Sequence, residues 1–353
     1  MTILHLIQKV NSNIPHMSNV IVLKNGLDIP IKGNAEPVTT KTVSPAVVAI
    51  QPTDFKGLSP RLMVKEGDAV LAGSPVIADK KNPDIILCSP VSGKVKEILR
   101  GDKRRLLAVL ITPDDEQKYV DFKPANPEKL TADEIIPRLL QSGLWPWLVQ
   151  RPYGIVADPA AKPRAIFVSA FDSAPLAADR DFTLGQELNA VQTGIKVLAK
   201  LTDGGVHVGL WEPTASSTPF HKLEDCVFHT FRGRHPAGNV GVQISHVAPI
   251  RKGDTVWTIS LLGVAAIGRL FQTGKVNLRR KVAITGPMAI NPSYVDAVPG
   301  MPMKSIAGYY GGVTENIILR VCEVFMGIPS VLLGIAIMSA FGQSLFVLML
   351  AIG

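Results

Sequence analysis

The sequence predicts an α+β chain built of several domains, and three passages carry that reading. Residues 165–169 (AIFVS) are a short apolar run that passes straight into a loop holding Asp172, Ser173, Pro175 and Asp179, the pattern of a buried parallel strand ending in an exposed turn. Residues 64–95 alternate short strand-like runs with glycine-centred turns, as a small all-β module does. Residues 256–285 read as strand, helix and strand. With 353 residues, of which 46% are hydrophobic and 19% charged, the chain is long and apolar enough for about two or three domains with real cores, which excludes a disordered protein.

The net charge of +8 is spread thinly over Lys and Arg, with no aromatic-rich basic run beside it. That pattern argues against nucleic acid and suits docking on a membrane protein or on the anionic face of a bilayer. Cys88, Cys226 and Cys322 lie far apart, so neither a disulfide framework nor the CxxC spacing of an iron–sulfur or zinc site is available, and a reducing compartment is expected. Residues 1–16 lack the basic start, long apolar centre and cleavage site of a secretory signal. They are expected to be an extension without structure of its own, with folded sequence beginning at Met17.

The first domain is placed at residues 17–125. Residues 20–33 (VIVLKNGLDIPIKG) predict two short strands joined by a tight turn at Asn25-Gly26. The rhythm Lys65-Glu66-Gly67-Asp68-Ala69-Val70, Gly73-Ser74-Pro75-Val76 and then Ser89-Pro90-Val91-Ser92-Gly93-Lys94-Val95 resembles the barrel-sandwich hybrid of biotinyl and lipoyl carrier domains, whose halves read KxGDxVxxGxxV and SPVxGxV. Carrier domains modify a lysine on the hairpin between the halves, where Lys80 falls here. The connection from Lys80 to Cys88 is longer than that hairpin and Asn82-Pro83 interrupts it, so an unmodified, solvated loop is expected. The polar, Pro-containing linker 112–131 closes the domain.

A second domain is placed at residues 126–253. Thr131 and Glu134 make a capping box ahead of Ile135, Ile136, Leu139 and Leu140, with Gly143 as the stop and Pro137 predicting a short or kinked helix. The bulky stretch from Trp145 through Trp147 to Tyr153 follows. After the strand at 165–169, Thr183 and Gln186 suggest the start of a helix carrying Leu188, Val191, Ile195 and Leu198, and runs at 206–210 and 226–231 add strands of a small parallel sheet. His221, His229, His235 and His246, with Cys226 and Glu224, have no metal-ligand spacing, so no metal site is expected. Arg232, Arg234 and His235 at a strand end form an anion contact, a solvated turn or a subunit contact.

A third domain is placed at residues 254–320. A strand at 256–262, a helix with Val264, Ile267 and Phe271 on one face and Gly274 beyond its end, and a strand at 280–285 resemble the ubiquitin-like SLBB domain. Residues 321–353 form an apolar tail, without charge from Val324 onward. A charge-free stretch beyond about 18 residues is long enough to span a bilayer, so the tail is either a membrane segment or a chain end foreign to the natural fold.

The domain order, with GLDIPIKG, KNPDIILCSPVSGKV, PRAIFVSAFDSAPLAADRDF, GNVGVQISHVAPIRKGDTVW and IGRLFQTGKVNLRRKVAITGP, resembles the A subunits of the bacterial sodium-translocating NADH:quinone oxidoreductases. The resemblance implies a peripheral subunit on the cytoplasmic face of the inner membrane that carries no redox centre. It also implies association with the quinone end of the complex, beside the B and C subunits, of which B is embedded in the membrane, with quinone as the substrate of the complex. The C subunit of the Rnf complex has the same domain order but carries cysteine clusters absent here. The middle domain further resembles the Rossmann-like NADH-binding flavoprotein of respiratory complex I, which holds flavin with a glycine-rich loop and nucleotide with an acidic one.

Here those loops read as 145–153, with Trp145, Trp147 and Tyr153, and as Phe171-Asp172-Ser173-Ala174-Pro175. A Cβ at such positions keeps backbone amides from converging on a phosphate, so no tightly bound cofactor, catalytic residue or metal ligand is expected. The quinone-facing or subunit-facing surface is placed at Trp145, Trp147, Tyr153, Phe171, Asp172 and Pro175, which combine aromatics with few charges. The competing class is a stand-alone SLBB protein that binds quinone or another small molecule.

Overall fold

The computed structural model describes residues 20–307; the expectations for residues 1–16 and for the tail at 321–353 lie outside the described residues. The chain opens with β1 (Ile21–Val22) and β2 (Thr39–Thr42), and neither joins the module that follows. That module contains β3 (Val48–Ile50), β4 (Pro60–Leu62), β5 (Ala69–Val70), β6 (Pro75–Asp79), β7 (Ile86–Cys88), β8 (Gly93–Arg100) and β9 (Leu106–Pro113). Its sheets run β3-β9-β8-β5 and β4-β6-β7, and every pairing is antiparallel. Val48, Val76, Ile77, Val95, Val109 and Ile111 are buried, so the glycine-punctuated rhythm closes on a core as predicted. Gly67 and Gly73 hold φ of +91° and +95°, which L-residues adopt only with strain.

The connection between the two halves is tied down. Asp79 is buried and its Oδ1 accepts from the amides of Ser59 and Lys81, at 2.8 and 3.3 Å. Lys80 donates its own amide to Ser59, at 2.7 Å, and Ile85 joins the main hydrophobic core. A swinging arm needs a hairpin that projects; this one is pinned at both ends.

The second module contains the helices α1 (Ala132–Gln141), α2 (Arg180–Leu184), α3 (Leu188–Ala199), α4 (Val240–Val247) and α5 (Leu261–Thr273). Its strands are β10 (Val149–Arg151), β11 (Ile155–Val156), β12 (Ile166–Ser169), β13 (Val206–Trp211), β14 (Val227–Arg232) and β15 (Val256–Thr258). They form a seven-stranded sheet in the order β1-β14-β13-β12-β15-β10-β11, parallel from β1 to β15 and antiparallel over β10 and β11. Side chains alternate across a strand. Ile166 and Val168 therefore meet α3 and α5 in the main core, while Ala165 and Phe167 meet Ile244 of α4 on the other face. The capping box of α1 is present, with Glu134 Oε2 accepting from the amide of Thr131 at 2.8 Å, and Pro137 is accommodated in a helix of only 10 residues.

Three expectations are corrected. No hairpin forms at Asn25-Gly26: β1 pairs in parallel with β14, Ile21 beside Phe231, because the open edge of β14 offers backbone partners. The helix expected from Thr183, with Leu188, Val191, Ile195 and Leu198, is α3 and starts only at Leu188; Thr183 lies instead inside the separate short α2, which Asp179 caps by accepting from the amides of Asp181 and Phe182 at 2.8 and 3.2 Å. The boundary at 254 is not a boundary, since β15 pairs with β12 and α5 packs in the main core. Gly274 ends α5 in the left-handed region, as predicted.

What remains of the third domain among the described residues of the first compact unit, which ends at Pro302, is a three-stranded sheet. It holds β16 (Arg280–Ile284), β17 (Ser293–Ala297) and the early strand β2, in the order β16-β17-β2. Residues 20–42 are thus shared between the two later sheets rather than built into the first domain. The short α6 (Met303–Ala307) begins the second unit.

Candidate functional site

Strands β13 and β14 extend the sheet from one side of β12, and β15 lies on its other side. The carboxyl ends of β12 and β15 thus lie side by side, at the edge of the sheet where α/β proteins bind ligands. A cavity of about 350 Å³ lies there. Ser169 and Thr258 come from the two strands, Trp147, Val149 and Arg151 from β10 and the turn before it, Phe171 and Asp172 from the loop after β12, and Arg180 from the start of α2. Gly238 and Val240 at the start of α4, and Ser260 and Leu261 at the start of α5, complete the wall.

Local hydrogen bonds hold these groups. Ser169 Oγ donates to the carbonyl of Phe171 at 2.8 Å and accepts from Gln243 Nε2 at 2.9 Å. Gln243, almost fully buried, also donates to the carbonyl of Ala237 at 3.1 Å. A Cβ at Gly209 would lie 2.4 Å from Gln243 Oε1, so a larger residue there would displace the Gln243 amide. Ser173 Oγ accepts from the amide of Gly238 at 2.7 Å and lies 3.1 Å from His235 Nδ1. Asp172 faces Arg180 at 3.3 Å. Ser260 caps α5 by accepting from Gly263, and Asn239 caps α4 by accepting from Gly241. The cavity thus sees two helix N-termini, each with partial positive charge.

Of the residues chosen from sequence, Trp147, Phe171 and Asp172 line the cavity together. Trp145 is core, fully buried, with its Nε1 donating to the carbonyl of Ala157 at 2.8 Å and its ring edge-on to Trp257 at 5.4 Å. Tyr153 is 77% exposed and Pro175 is exposed; neither lines the cavity. Arg151, Arg180, Ser169 and Ser260 were missed. Ser260 is a helix cap readable in retrospect, whereas Arg151 and Arg180 become neighbours of the cleft only once β15 is known to lie beside β12.

The histidines do not converge on a metal, and no group of three or more metal-ligating side chains occurs among the described residues. His221 bonds to the carbonyl of Thr218 and His246 to that of Val242. His229 instead meets His207, Nε2 to Nδ1, at 2.8 Å. The other nitrogen of His207 faces the carbonyl of Gly204 at 3.2 Å. A carbonyl only accepts, so His207 carries its proton on Nε2 and His229 donates to the bare Nδ1. Burial lowers the pKa of both rings, that of His229 to about 4. Burial likewise pushes the thiols of Cys88 and Cys226 up to about 12, so neither is a nucleophile at neutral pH.

Two family models match in tandem: the NqrA N-terminal barrel-sandwich hybrid domain over residues 21–114 and the NqrA second alpha/beta domain over residues 130–276. Among whole proteins, the chain is similar to the A subunit of the Na(+)-translocating NADH-quinone reductase of Neisseria meningitidis, 37% identical over 289 residues, covering 81% of this chain and 64% of that one. The A subunits of the same reductase from Cellvibrio japonicus, 37% identical over 78% of this chain and 62% of theirs, and from Yersinia pseudotuberculosis, 36% identical over 77% and 61%, are similar to the same degree. The chain therefore spans about 64% of the length of the Neisseria relative.

Proposed function

The chain belongs to the NqrA family, and from that premise we propose that it is an accessory subunit of a Na⁺-translocating NADH-quinone reductase. In this reading the complex couples electron transfer from NADH to quinone to sodium export, and this subunit is not catalytic alone. The tandem match of both domains, in the family's order, is the observation that carries it. Its partners are the membrane-embedded B and the C subunits, at the cytoplasmic face of the inner membrane. Among the described residues no helix is long and apolar enough to cross a membrane, which agrees with a peripheral placement of this part. The finer fold reading is that the central sheet is a Rossmann-like relative of the complex I flavoprotein and that β16 and β17 belong to an SLBB-type domain.

The chain is proposed to hold no tightly bound flavin or NADH and to present Trp147, Phe171 and Asp172 to quinone or to a neighbouring protein of the complex. Affinity purification of the tagged chain from its native membrane tests the assignment. Recovery of a complex with NADH-quinone reductase activity is expected; a monodisperse chain that never retains membrane partners points instead to a stand-alone binding protein. The purified chain should show no stoichiometric flavin absorbance. Photo-crosslinking with a quinone analogue should label the loops around Trp147 and Phe171, and labelling confined to β3–β9 would refute the quinone surface.

A further inference from the structure

We infer that the cleft between the ends of β12 and β15 is an oxyanion site, which takes the carboxylate or phosphate group of a small ligand against Arg151. Arg151 lines the cavity from β10. Its Nε is buried without a hydrogen-bond partner, and among the described residues its side chain makes no ion pair. Arg151 as a residue is only partly buried, but an N–H withdrawn from water and left unpaired is costly, and such groups persist where a ligand supplies the missing acceptor.

The rest of the cavity does not supply that acceptor. Its one carboxylate, Asp172, is engaged by Arg180 at 3.3 Å and by the amide of Ala174 at 3.0 Å, so the lining keeps an excess positive charge. Arg280 sits close enough to Arg180 for their charges to oppose each other, and is itself partly buried. The N-termini of α4 and α5, which also line the cavity, add partial positive charge. Trp147 and Phe171 give the cavity flat apolar sides, so the ligand carries a ring or an apolar body behind its anionic group. A guanidinium meets carboxylate and phosphate alike through paired N–H donors. A neutral quinone leaves the charge of Arg151 unanswered, so this inference stands apart from the quinone reading.

The test uses the full chain in low-chloride buffer, titrated in separate arms with sodium benzoate and with sodium phosphate, read by tryptophan fluorescence and by thermal unfolding. Saturable binding with a rise in Tm is expected in at least one arm, and the arm that saturates identifies the source of the oxyanion. Arg151→Gln should weaken it at least ten-fold and Arg151→Lys less. Val240→Asp, which sets a carboxylate in the lining of the same cavity, should block it and gives an independent answer if Arg151→Gln fails to fold. Non-saturating signals in both arms, or unchanged binding in both Arg151→Gln and Val240→Asp, would overturn the inference. Labelling by a neutral quinone analogue is read separately, without benzoate or phosphate present, and tests the quinone surface alone.

Discussion

The two layers that flank the central sheet are built differently. On one face α3 and α5 approach until their backbones touch, through Gly194 and Gly268, with Val191, Ile195, Leu198, Val264, Ile267 and Phe271 buried around the contact. On the other face α4 covers Ala165, Phe167 and Val256, while His207, Trp211, Val227 and His229 lie beyond it, with Trp211 and Val227 exposed. The first layer is dry and apolar and carries stability. The second is partly open and carries the imidazole pair and the buried Gln243. The cleft lies where α5 of the first layer and α4 of the second both begin, so its ligand would bear on both.

The contrast is broken most severely at Gly268, where a Cβ would stand 1.7 Å from the carbonyl of Ala190. Backbone cannot yield as a flexible side chain does, so Gly268→Ala should cost about 3 kcal/mol or more, at the upper end of overpacking effects. Urea unfolding reads this directly, and a loss below about 1 kcal/mol would show that the two helices separate easily. On the opposite layer, Gln243→Ala removes the bonds to Ser169 and Ala237. It leaves a buried carbonyl and a hydroxyl short of a partner, with an expected loss of about 2 kcal/mol. Because Ser169 lines the cleft, the same variant should loosen ligand binding there, which Gly268→Ala should do only by unfolding.

The imidazole pair gives the open layer a pH dependence that the dry layer lacks. His229 titrates at about 4 in the folded chain against 6.5 when unfolded, because of burial and then of its neighbour His207. Between those values the unfolded chain binds more protons, so stability is full above about pH 6.5 and falls as pH drops toward 4. Allowing for the partial exposure of the ring, the loss is on the order of 1–2 kcal/mol. Urea midpoints at pH 7 and pH 5 for the native chain and for His229→Gln measure it. The native chain should lose more than the variant, and equal losses would remove the pair as the cause.

How much of this was legible in sequence follows from range. Local signals held: the glycine-turn rhythm of the first module, the capping box of Thr131 and Glu134, the strand at 165–169, and Gly274 closing α5. Strand partners were not legible, because a parallel strand is read as a short apolar run whatever sheet it joins. The run at 256–258 looked like the opening of a new domain and is the neighbour of β12. Residues 20–33 looked like a hairpin and instead run to the edge of β14. The cleft suffered most, since its residues come from segments near 147, 171, 240 and 260 that only the strand order brings together. The residues of the aromatic stretch part company: Trp145 faces the core and Trp147 the cleft.

The smallest expected effect is the sharpest test of the two-layer contrast, because it compares one substitution on two neighbouring strands. Val208 and Val227 sit on β13 and β14 and differ in the face they present: Val208 is fully buried in the α3 and α5 layer, and Val227 is 48% exposed beyond the reach of α4. Replacing valine by threonine keeps the branched shape and the strand preference and exchanges one methyl for a hydroxyl. At Val208 that hydroxyl enters a dry core, and its lost hydration should cost about 1–3 kcal/mol. At Val227 water still reaches the side chain, so Val227→Thr should change stability by less than about 0.5 kcal/mol. Chemical denaturation of the two variants side by side decides the matter. A loss at Val227 approaching that at Val208 would mean the open face is covered in the native chain, and the division of labour between the two layers would then be wrong.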